Sequence, residues 1–187
     1  MPSETVKNDR HYTCEDLYLW DDDCRWELID GVAYMMAPPR RIHEKISGEI
    51  FRQLANFLID KPCEVYGGNF GVRLNADQGD DTLVIPDITV VCDKSKLNDL
   101  GCAGAPDMIV EILSPSTAAH DKLIKFNKYL QHGVREYWIV DPDIKTVSAH
   151  ILENGKYTVS AYGDTDTPAI HVLDGCTINL SEVFAEI

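Results

Sequence analysis

The sequence predicts an α/β or α+β domain: a mixed β-sheet flanked by helices, with a hairpin near the N-terminus and antiparallel strands near the C-terminus. Three observations support this class: a long segment with helical periodicity, two nearly unbroken apolar runs typical of strands covered on both faces, and turn signals between shorter strand-like segments. The chain has 187 residues, which suits a single domain with a sizeable core. We expect residues 1–12 to be a flexible N-terminus and residues 13–187 to form that domain.

The N-terminal third is predicted to hold a short helix, a hairpin and a long helix. Thr13 and Asp16 have the spacing of a capping box, which begins the short helix. In RWELIDGVAYMM, Asp30-Gly31 stands between two apolar arms and predicts a tight hairpin turn. The long amphipathic helix ends before Pro62, and its apolar residues recur at every fourth position: Ile42, Ile46, Ile50, Leu54 and Leu58.

The rest of the chain is predicted to be mainly strands, with one further long helix. CEVYG and FGVRL are short strands, while LVIPDITVVCD and DMIVEIL are each one buried strand, joined by the loop KSKLNDLGCAGA. SPST leads into a helix over residues 118–132 that Gly133 closes, and EYWIVDP is the next strand. The last forty-odd residues are antiparallel strands around Asn154-Gly155, followed by a short helix near Ser181.

The chain is acidic, with 17 Lys and Arg residues against 31 Asp and Glu residues and a formal net charge of −14. A broad phosphate-binding surface usually carries a basic excess, so this balance argues against an indiscriminate polyanion binder. Any contact with nucleic acid is therefore expected to be local and assisted by a metal ion. The apolar runs are all shorter than the ~20 residues that a membrane span requires, so no membrane partner is expected.

Cysteine usage predicts reduced thiols. The six cysteines form no C-x-x-C pair, which argues against a structural zinc site. The N-terminal residues hold no apolar segment of the kind found in signal peptides, so we expect a cytoplasmic protein. In that compartment thiols stay reduced, and Cys92 in the ITVVC run is expected to be a small core residue.

Two carboxylates stand inside runs that are otherwise apolar. Asp87 follows Pro86, and Glu111 has aliphatic neighbours on both sides. An ionised carboxylate in such surroundings is costly unless it is paired, hydrogen-bonded or bound to a metal. Two of them in adjacent strands favour a shared hard divalent cation, which prefers oxygen ligands. The alternatives are internal salt bridges to Arg or Lys, or a turn capped by Asp87.

Several motifs together resemble the Uma-two family of restriction-endonuclease-like proteins, in the PD-(D/E)XK nuclease superfamily. They are VIPDITVVCD, GAPDMIVEILSPST and HDKLIKFNKYLQHGVREYWIVDP, together with ELIDG and PPRRIHEKI, so the resemblance covers roughly residues 13–185. It implies a restriction-endonuclease-like mixed sheet core flanked by helices. It also implies cleavage of DNA phosphodiester bonds with Mg²⁺ or Mn²⁺. A homodimer is expected because related nucleases must reach two strands, and EYWIV could extend a sheet or form the interface.

The resemblance assigns roles to three residues. Asp87 and Glu111 would hold the divalent metal, which would acidify a bound water and stabilise charge on the scissile phosphate. The chain departs from the superfamily pattern at Leu113, where the second motif usually has Lys. The resemblance implies that in this family the lysine comes from the following helix, where Lys125 matches it. Lys125 would orient the attacking water or neutralise the phosphate.

Helical geometry leaves the role of Lys125 open. At about 100° per residue, Lys125 points away from the apolar stripe of its helix and lies beside Asp121. These two residues could form a surface pair worth only a few tenths of a kcal/mol. Alternatively, the long lysine stem reaches a cleft and Asp121 holds it in position. Tyr129, on the same helix, is expected to be a core or interface aromatic residue.

Further candidates also have two interpretations each. Glu27 in ELIDG is either an additional acid of the metal site or an exposed strand residue. His43, at the start of the long helix, either supplies an acid, a base or a water-mediated metal contact, or is an ordinary side chain of a helix start. Arg40-Arg41 is the only adjacent basic pair in the sequence, and either contacts phosphate or is solvated in a loop.

The sequence therefore supports a metal-dependent endonuclease acting on DNA, with two alternatives. One is a binding or regulatory protein with a nuclease fold and weak or absent catalysis, which the acidic charge and Leu113 favour. The other is a structural interaction module in which Asp87 and Glu111 only form salt bridges. The presence of Asp87, Glu111 and Lys125 argues against the first alternative, because these are the residues that the resemblance assigns to the site.

Overall fold

The computed structural model describes residues 6–21, 23–114 and 124–185. Its helices are α1 (Cys14–Tyr18), α2 (Arg41–Leu58), α3 (Phe126–His132) and α4 (Leu180–Val183), with a 3₁₀ turn over Lys94–Lys96. Its strands are β1 (Val6–Lys7), β2 (Trp26–Ile29), β3 (Val32–Met35), β4 (Glu64–Gly67), β5 (Val72–Arg73), β6 (Leu83–Val84), β7 (Ile88–Val91), β8 (Leu97–Asn98), β9 (Gly101–Ala103), β10 (Met108–Ile112), β11 (Glu136–Asp141), β12 (Thr146–Glu153) and β13 (Lys156–Tyr162).

These strands form two mixed sheets. The first sheet has seven strands in the order β1-β3-β2-β6-β5-β9-β8, and the second has six in the order β13-β12-β11-β10-β7-β4. Strand β10 runs parallel to β11 and β5 runs parallel to β9, while the other pairs are antiparallel. The α+β class with mixed sheets is confirmed. The sequence predicted one sheet, however, and the described chain divides its strands between two.

Helix α2 covers one face of the second sheet. Its residues Ile46, Ile50, Leu54 and Leu58 are buried, as their four-residue spacing predicted. They share a core with residues of β7, β10, β11 and β12 and with the C-terminal segment. The opposite face of β10 and β11 lies in a second core that includes α3 and strands of the first sheet. Both faces of these strands are therefore apolar, which explains their unbroken apolar sequences.

The N-terminal elements form largely as predicted. Thr13 and Asp16 make the complete capping box of α1. Asp30 and Gly31 take φ values of 50° and 75°, the left-handed geometry that a two-residue hairpin turn requires, and join β2 to β3. Of the segment expected to be a flexible N-terminus, the described residues 6–12 contact the folded domain. Residues 6–7 pair with β3, and Tyr12 is buried in the core beside that hairpin.

The run LVIPDITVVCD is not one strand, as the sequence predicted, but two strands in different sheets. β6 ends at Val84 and pairs in the first sheet, whereas β7 begins at Ile88 and pairs in the second. Pro86 lies between them, and a proline lacks the backbone N–H that would continue a strand ladder. The chain therefore crosses from one sheet to the other at residues 85–87.

The segment KSKLNDLGCAGA was predicted to be a loop, and this is wrong because it contains β8 and β9. Gly101 explains the difference. Its φ is 121°, and a Cβ at this position would lie 2.1 Å from the carbonyl oxygen of Gly71. The glycine that signalled a loop therefore allows close approach of two backbones within the first sheet.

Later elements follow the sequence with one correction. Gly133 closes α3 at φ 83°, and Asn154-Gly155 joins β12 to β13, both as predicted. The part of the predicted helix before residue 124 lies outside the described residues. EYWIV was expected to extend a sheet or form an interface, but it is β11, which is paired on both sides with β10 and β12. The prediction of a dimer interface at EYWIV is therefore wrong. No helix within the described ranges is long and apolar enough to cross a membrane.

The expectation that all thiols are reduced is also wrong in this structure. Cys63 and Cys92 form a disulfide with a sequence separation of 29 residues, and it links β4 to β7 where the two strands pair. The prediction failed because the sequence positions do not reveal that the two residues are opposite each other across a ladder. Burial raises the pKa of Cys14 to about 12 and of Cys102 and Cys176 to about 11, so these thiols are poor nucleophiles at neutral pH.

We expect thiol titration of the protein unfolded without reductant to find four thiols, and six after reduction. The Cys63→Ser, Cys92→Ser variant should lose about 3–4 kcal/mol of unfolding free energy in urea titrations, because the bridge closes a loop of 29 residues in the unfolded chain. Cys24→Ser, at an exposed cysteine outside the bridge, is the control. Six thiols without reductant would contradict the disulfide.

Candidate active site

The predicted site residues meet where the chain crosses between the two sheets. Glu27 is on β2 of the first sheet and Glu111 is on β10 of the second. Asp87 directly precedes β7, at the end of the crossing segment. Lys125 is the N-cap residue of α3, and His43 lies in the first turn of α2. Two sheets and two helices therefore each contribute to one place in the molecule.

Lys125 is the centre of this cluster. Its Nζ lies 2.8 Å from Glu27 Oε1 and 2.9 Å from Glu111 Oε1. The three side chains are nearly completely buried, with exposed fractions between 4% and 6%. A buried charge is tolerated only when it is paired, and here one ammonium group lies between two carboxylates. The surface position considered for Lys125 is therefore wrong, and Asp121, its expected partner, lies outside the described residues.

Glu111 faces the second core, the one that contains α3. Strand alternation puts Ile109, Glu111 and Leu113 on the same side of β10, and the two apolar residues belong to that core. Tyr129, one helical turn after Lys125, donates its hydroxyl proton to Glu111 Oε1 at 2.8 Å. Burial and the Glu111 charge hold the pKa of Tyr129 well above its usual range, which keeps this hydroxyl a donor.

Asp87 lies beside Glu111 through the pairing of β7 with β10. Ile88 pairs with Val110, so the same register brings Asp87 opposite Glu111, and residues opposite each other share one face. Asp87 Oδ2 accepts a hydrogen bond from Ile112 N at 2.7 Å. The same oxygen lies 3.0 Å from His43 Nε2, with side chains that are 17% and 14% exposed. Asp87 and His43 are thus more accessible than the buried cluster of Glu27, Glu111 and Lys125.

Glu27 joins the cluster to the crossing segment. Its Oε1 accepts a hydrogen bond from Ile85 N at 2.8 Å and also contacts Lys125. Glu27 is therefore not the exposed strand residue that the sequence allowed. Because Ile85 comes two residues before Asp87, this hydrogen bond fixes the segment that carries Asp87. The Arg40-Arg41 pair is exposed at the start of α2, near His43 in sequence.

Sequence reasoning missed the site contact of Tyr129. It correctly expected a buried aromatic residue, but the hydroxyl was not assigned a partner. The available signal was its spacing of four residues from Lys125, which puts both side chains on one face of a helix. The backbone N–H groups of Ile85 and Ile112 could not be predicted from side-chain patterns.

The donor chemistry of the site fits a hard divalent cation. Asp87 and Glu111 supply carboxylate oxygens from adjacent strands, and Mg²⁺ is commonly bound by one or two carboxylates together with water and substrate phosphates. Within residues 6–21, 23–114 and 124–185, no group of three or more His, Cys, Asp or Glu residues could hold a metal by itself. The salt-bridge alternative also describes Glu111 here, because its carboxylate contacts Lys125.

The fold is that of a nuclease-like protein. It matches a solved structure from Anabaena variabilis ATCC 29413, described as "a putative nuclease belonging to DUF820", with a TM-score of 0.73 over 91% of this chain and 95% of that one. The two sequences are 20% identical, so this likeness concerns the fold.

The chain belongs to the Uma2 family, whose model, described as "Putative restriction endonuclease", matches residues 14–181. A relative from Synechocystis (strain PCC 6803), the uncharacterized protein slr1290, is 26% identical over 156 residues. That match covers 81% of this chain and 80% of the relative.

Proposed function

We propose that the protein is a metal-dependent endonuclease that hydrolyses DNA phosphodiester bonds. One observation carries the proposal: Asp87, Glu111 and a buried lysine come together from separate elements in a nuclease-like fold. A structural core gains little from a buried ionic cluster, because apolar residues of similar volume usually stabilise a protein as well. A site that must handle a charged substrate, in contrast, requires such groups.

Each residue has a role that follows from its contacts. Lys125 would neutralise charge that develops on the phosphate or orient the attacking water, and Glu27 would hold its ammonium group in position. His43, paired with the more accessible Asp87, would exchange a proton with water or with the leaving oxygen. Tyr129 would orient Glu111 through its hydroxyl.

Asp87 and Glu111 are the residues that would hold a divalent cation, Mg²⁺ or Mn²⁺. When bound, such a cation supplies Lewis-acid stabilisation of the phosphate and lowers the pKa of a coordinated water. Its charge would also offset part of the acidic excess at the point where DNA must approach. Arg40 and Arg41, exposed at the start of α2, are suited to contact the flanking phosphates.

The test is cleavage of supercoiled plasmid DNA with Mg²⁺ or Mn²⁺ by wild type and by Asp87→Asn. The substitution retains an acceptor for Ile112 N but removes the negative charge, so we expect cleavage to fall by about 100-fold or more with little change in stability. Asp99→Asn, at an exposed turn position outside the site, should leave cleavage unchanged. Cleavage that persists in Asp87→Asn would refute the site assignment.

A second function has a specific observation in its favour. The buried carboxylates already have Lys125 as counterion, and the described residues contain no preformed three-ligand metal group. This favours a nuclease-fold binding or regulatory protein with weak or absent catalysis. DNA binding by wild type with no cleavage under either metal would support it over the endonuclease. The homodimer remains a prediction from family resemblance, but EYWIV is no longer proposed as its interface.

A further inference from the structure

A groove with no assigned role lies on the face of the second sheet next to the candidate active site. Its volume is about 520 Å³, within the range of small-molecule sites. It is bounded by α3 on one side and by the ends of β10, β11 and β12 below. Its main lining residues are Leu113, Phe126, Ile139, Asp141, Ser148 and His150.

Chain connectivity puts this groove beside the acid–lysine cluster. Leu113 is two residues after Glu111 on the same side of β10, and two residues of an extended chain span only about 7 Å. Phe126 directly follows Lys125. The groove also lies at the carboxyl ends of the parallel strands β10 and β11, the position at which ligands commonly bind in open α/β sheets. A ligand in the groove would therefore continue from a strand whose phosphate lies at the candidate active site.

The lining is suited to a flat uncharged group with polar edges. Phe126 provides an aromatic wall and contacts the ring of His150 at a centroid distance of 5.1 Å. The carboxylate of Asp141 and the hydroxyl of Ser148 provide acceptor and donor capacity on the floor. Burial lowers the pKa of His150, so its imidazole is neutral at pH 7, and its Nε2 is buried with no hydrogen-bond partner among the described residues. A ligand that hydrogen-bonds there would satisfy that nitrogen.

Charge decides between a phosphate and a base as the occupant. The described lining residues include no Lys or Arg, so they offer an anion no countercharge. A nucleobase is planar and uncharged, stacks on aromatic rings and has hydrogen-bond donors and acceptors on its edge. This also suits a protein with a net charge of −14, which gains less affinity from phosphates than a basic protein does.

We propose that the groove is a subsite for a single unstacked nucleobase, that of the nucleotide whose phosphate lies at the candidate active site. The proposal rests on the proposed function for the identity of its ligand, a nucleic acid strand. It adds that the strand is engaged with one base outside any duplex. Such a site predicts preference for single-stranded, mismatched or frayed DNA over a fully paired duplex.

The test measures binding without metal, in EDTA, so that it does not depend on cleavage. A short single-stranded DNA with a central 2-aminopurine is titrated with the full chain, and its fluorescence gives the affinity of the intact strand. This affinity is compared with that of the same strand lacking that one base. The two strands carry equal phosphate charge. We expect the intact strand to bind about tenfold more tightly, because base stacking on an aromatic side chain is lost in the other.

Ser148→Trp fills the groove, and Ser160→Trp is its matched control. Ser148 pairs with Ile139 and faces the groove, whereas Ser160 pairs with Ala149 on the opposite face and is exposed. The preference for the intact strand should disappear in Ser148→Trp and remain in Ser160→Trp. Thr146→Trp, at another lining position of the groove, provides a second test if Ser148→Trp fails to fold.

The outcomes distinguish failure of the base subsite from failure of the endonuclease proposal. Equal binding of both strands by wild type, no binding at millimolar protein, or an unchanged preference in both groove variants would overturn the base subsite, while Asp87-dependent cleavage could still stand. A groove-dependent preference in a protein that never cleaves DNA would support the subsite and refute the endonuclease.

Discussion

Replacing Lys125 with methionine is expected to lower the free energy of unfolding by about 3–5 kcal/mol and to abolish the proposed DNA cleavage. Methionine has nearly the volume of the lysine stem, so the packing changes little. The change removes an ammonium group that contacts both Glu27 and Glu111, whose side chains are 6% and 5% exposed. Two negative charges would then be buried close together without that counterion, which is costly in a site of low polarity.

Urea titrations followed by circular dichroism measure this loss of stability. A free energy of unfolding in Lys125→Met equal to that of wild type would contradict the arrangement of charges described here.

Lys128→Met is the matched control for this prediction. Lys128 is three residues further on, and its Nζ contacts Asp30 Oδ1 at 2.6 Å, but the Asp30 side chain is 63% exposed. Water screens such a pair, and exposed pairs contribute about 0–1 kcal/mol. We therefore expect little change in stability and none in cleavage. A similar loss in both variants would show that the effect comes from α3 in general and is independent of the buried site.

The residues that contact one another at the crossing could be singled out from the sequence more readily than the strands around them. Glu27, Asp87, Glu111 and Lys125 could each be identified because charged residues in apolar segments, or in family motifs, are conspicuous. Their partners depend on which strands are neighbours, and that is decided by the crossing at Pro86 between the two sheets. A sequence shows that a carboxylate needs a partner, but the partner is chosen by tertiary structure.

Helical geometry predicted the wrong environment for Lys125. Its side chain lies on one helix face with the buried Tyr129. In an isolated helix that face contacts solvent, whereas here β2 and β10 lie on that side and present Glu27 and Glu111. Short elements were hidden for a related reason. β8 and β9 are two and three residues long, and Gly101, which makes their approach possible, has the local signature of a loop.

Neutralising the whole buried cluster should restore stability without restoring activity. Starting from Lys125→Met, the further changes Glu27→Gln and Glu111→Gln remove both uncompensated charges. The side-chain carbonyls introduced can still accept hydrogen bonds from Ile85 N and the Tyr129 hydroxyl. We expect the free energy of unfolding of the triple variant to lie within about 1–2 kcal/mol of the wild-type value, because neutral replacements of a buried ionic group are often tolerated.

The double variant Glu27→Gln, Glu111→Gln, which retains Lys125, completes the comparison. It leaves the lysine ammonium buried between two neutral amides and should be destabilised by several kcal/mol. Stability would then be low in both partly neutralised proteins and high when all three charges are present or all three are removed, a coupling that independent sites cannot produce. Plasmid cleavage should be lost in every one of these variants. If the triple variant regained cleavage together with stability, the three residues would have only a structural role, and the endonuclease site would have to lie elsewhere.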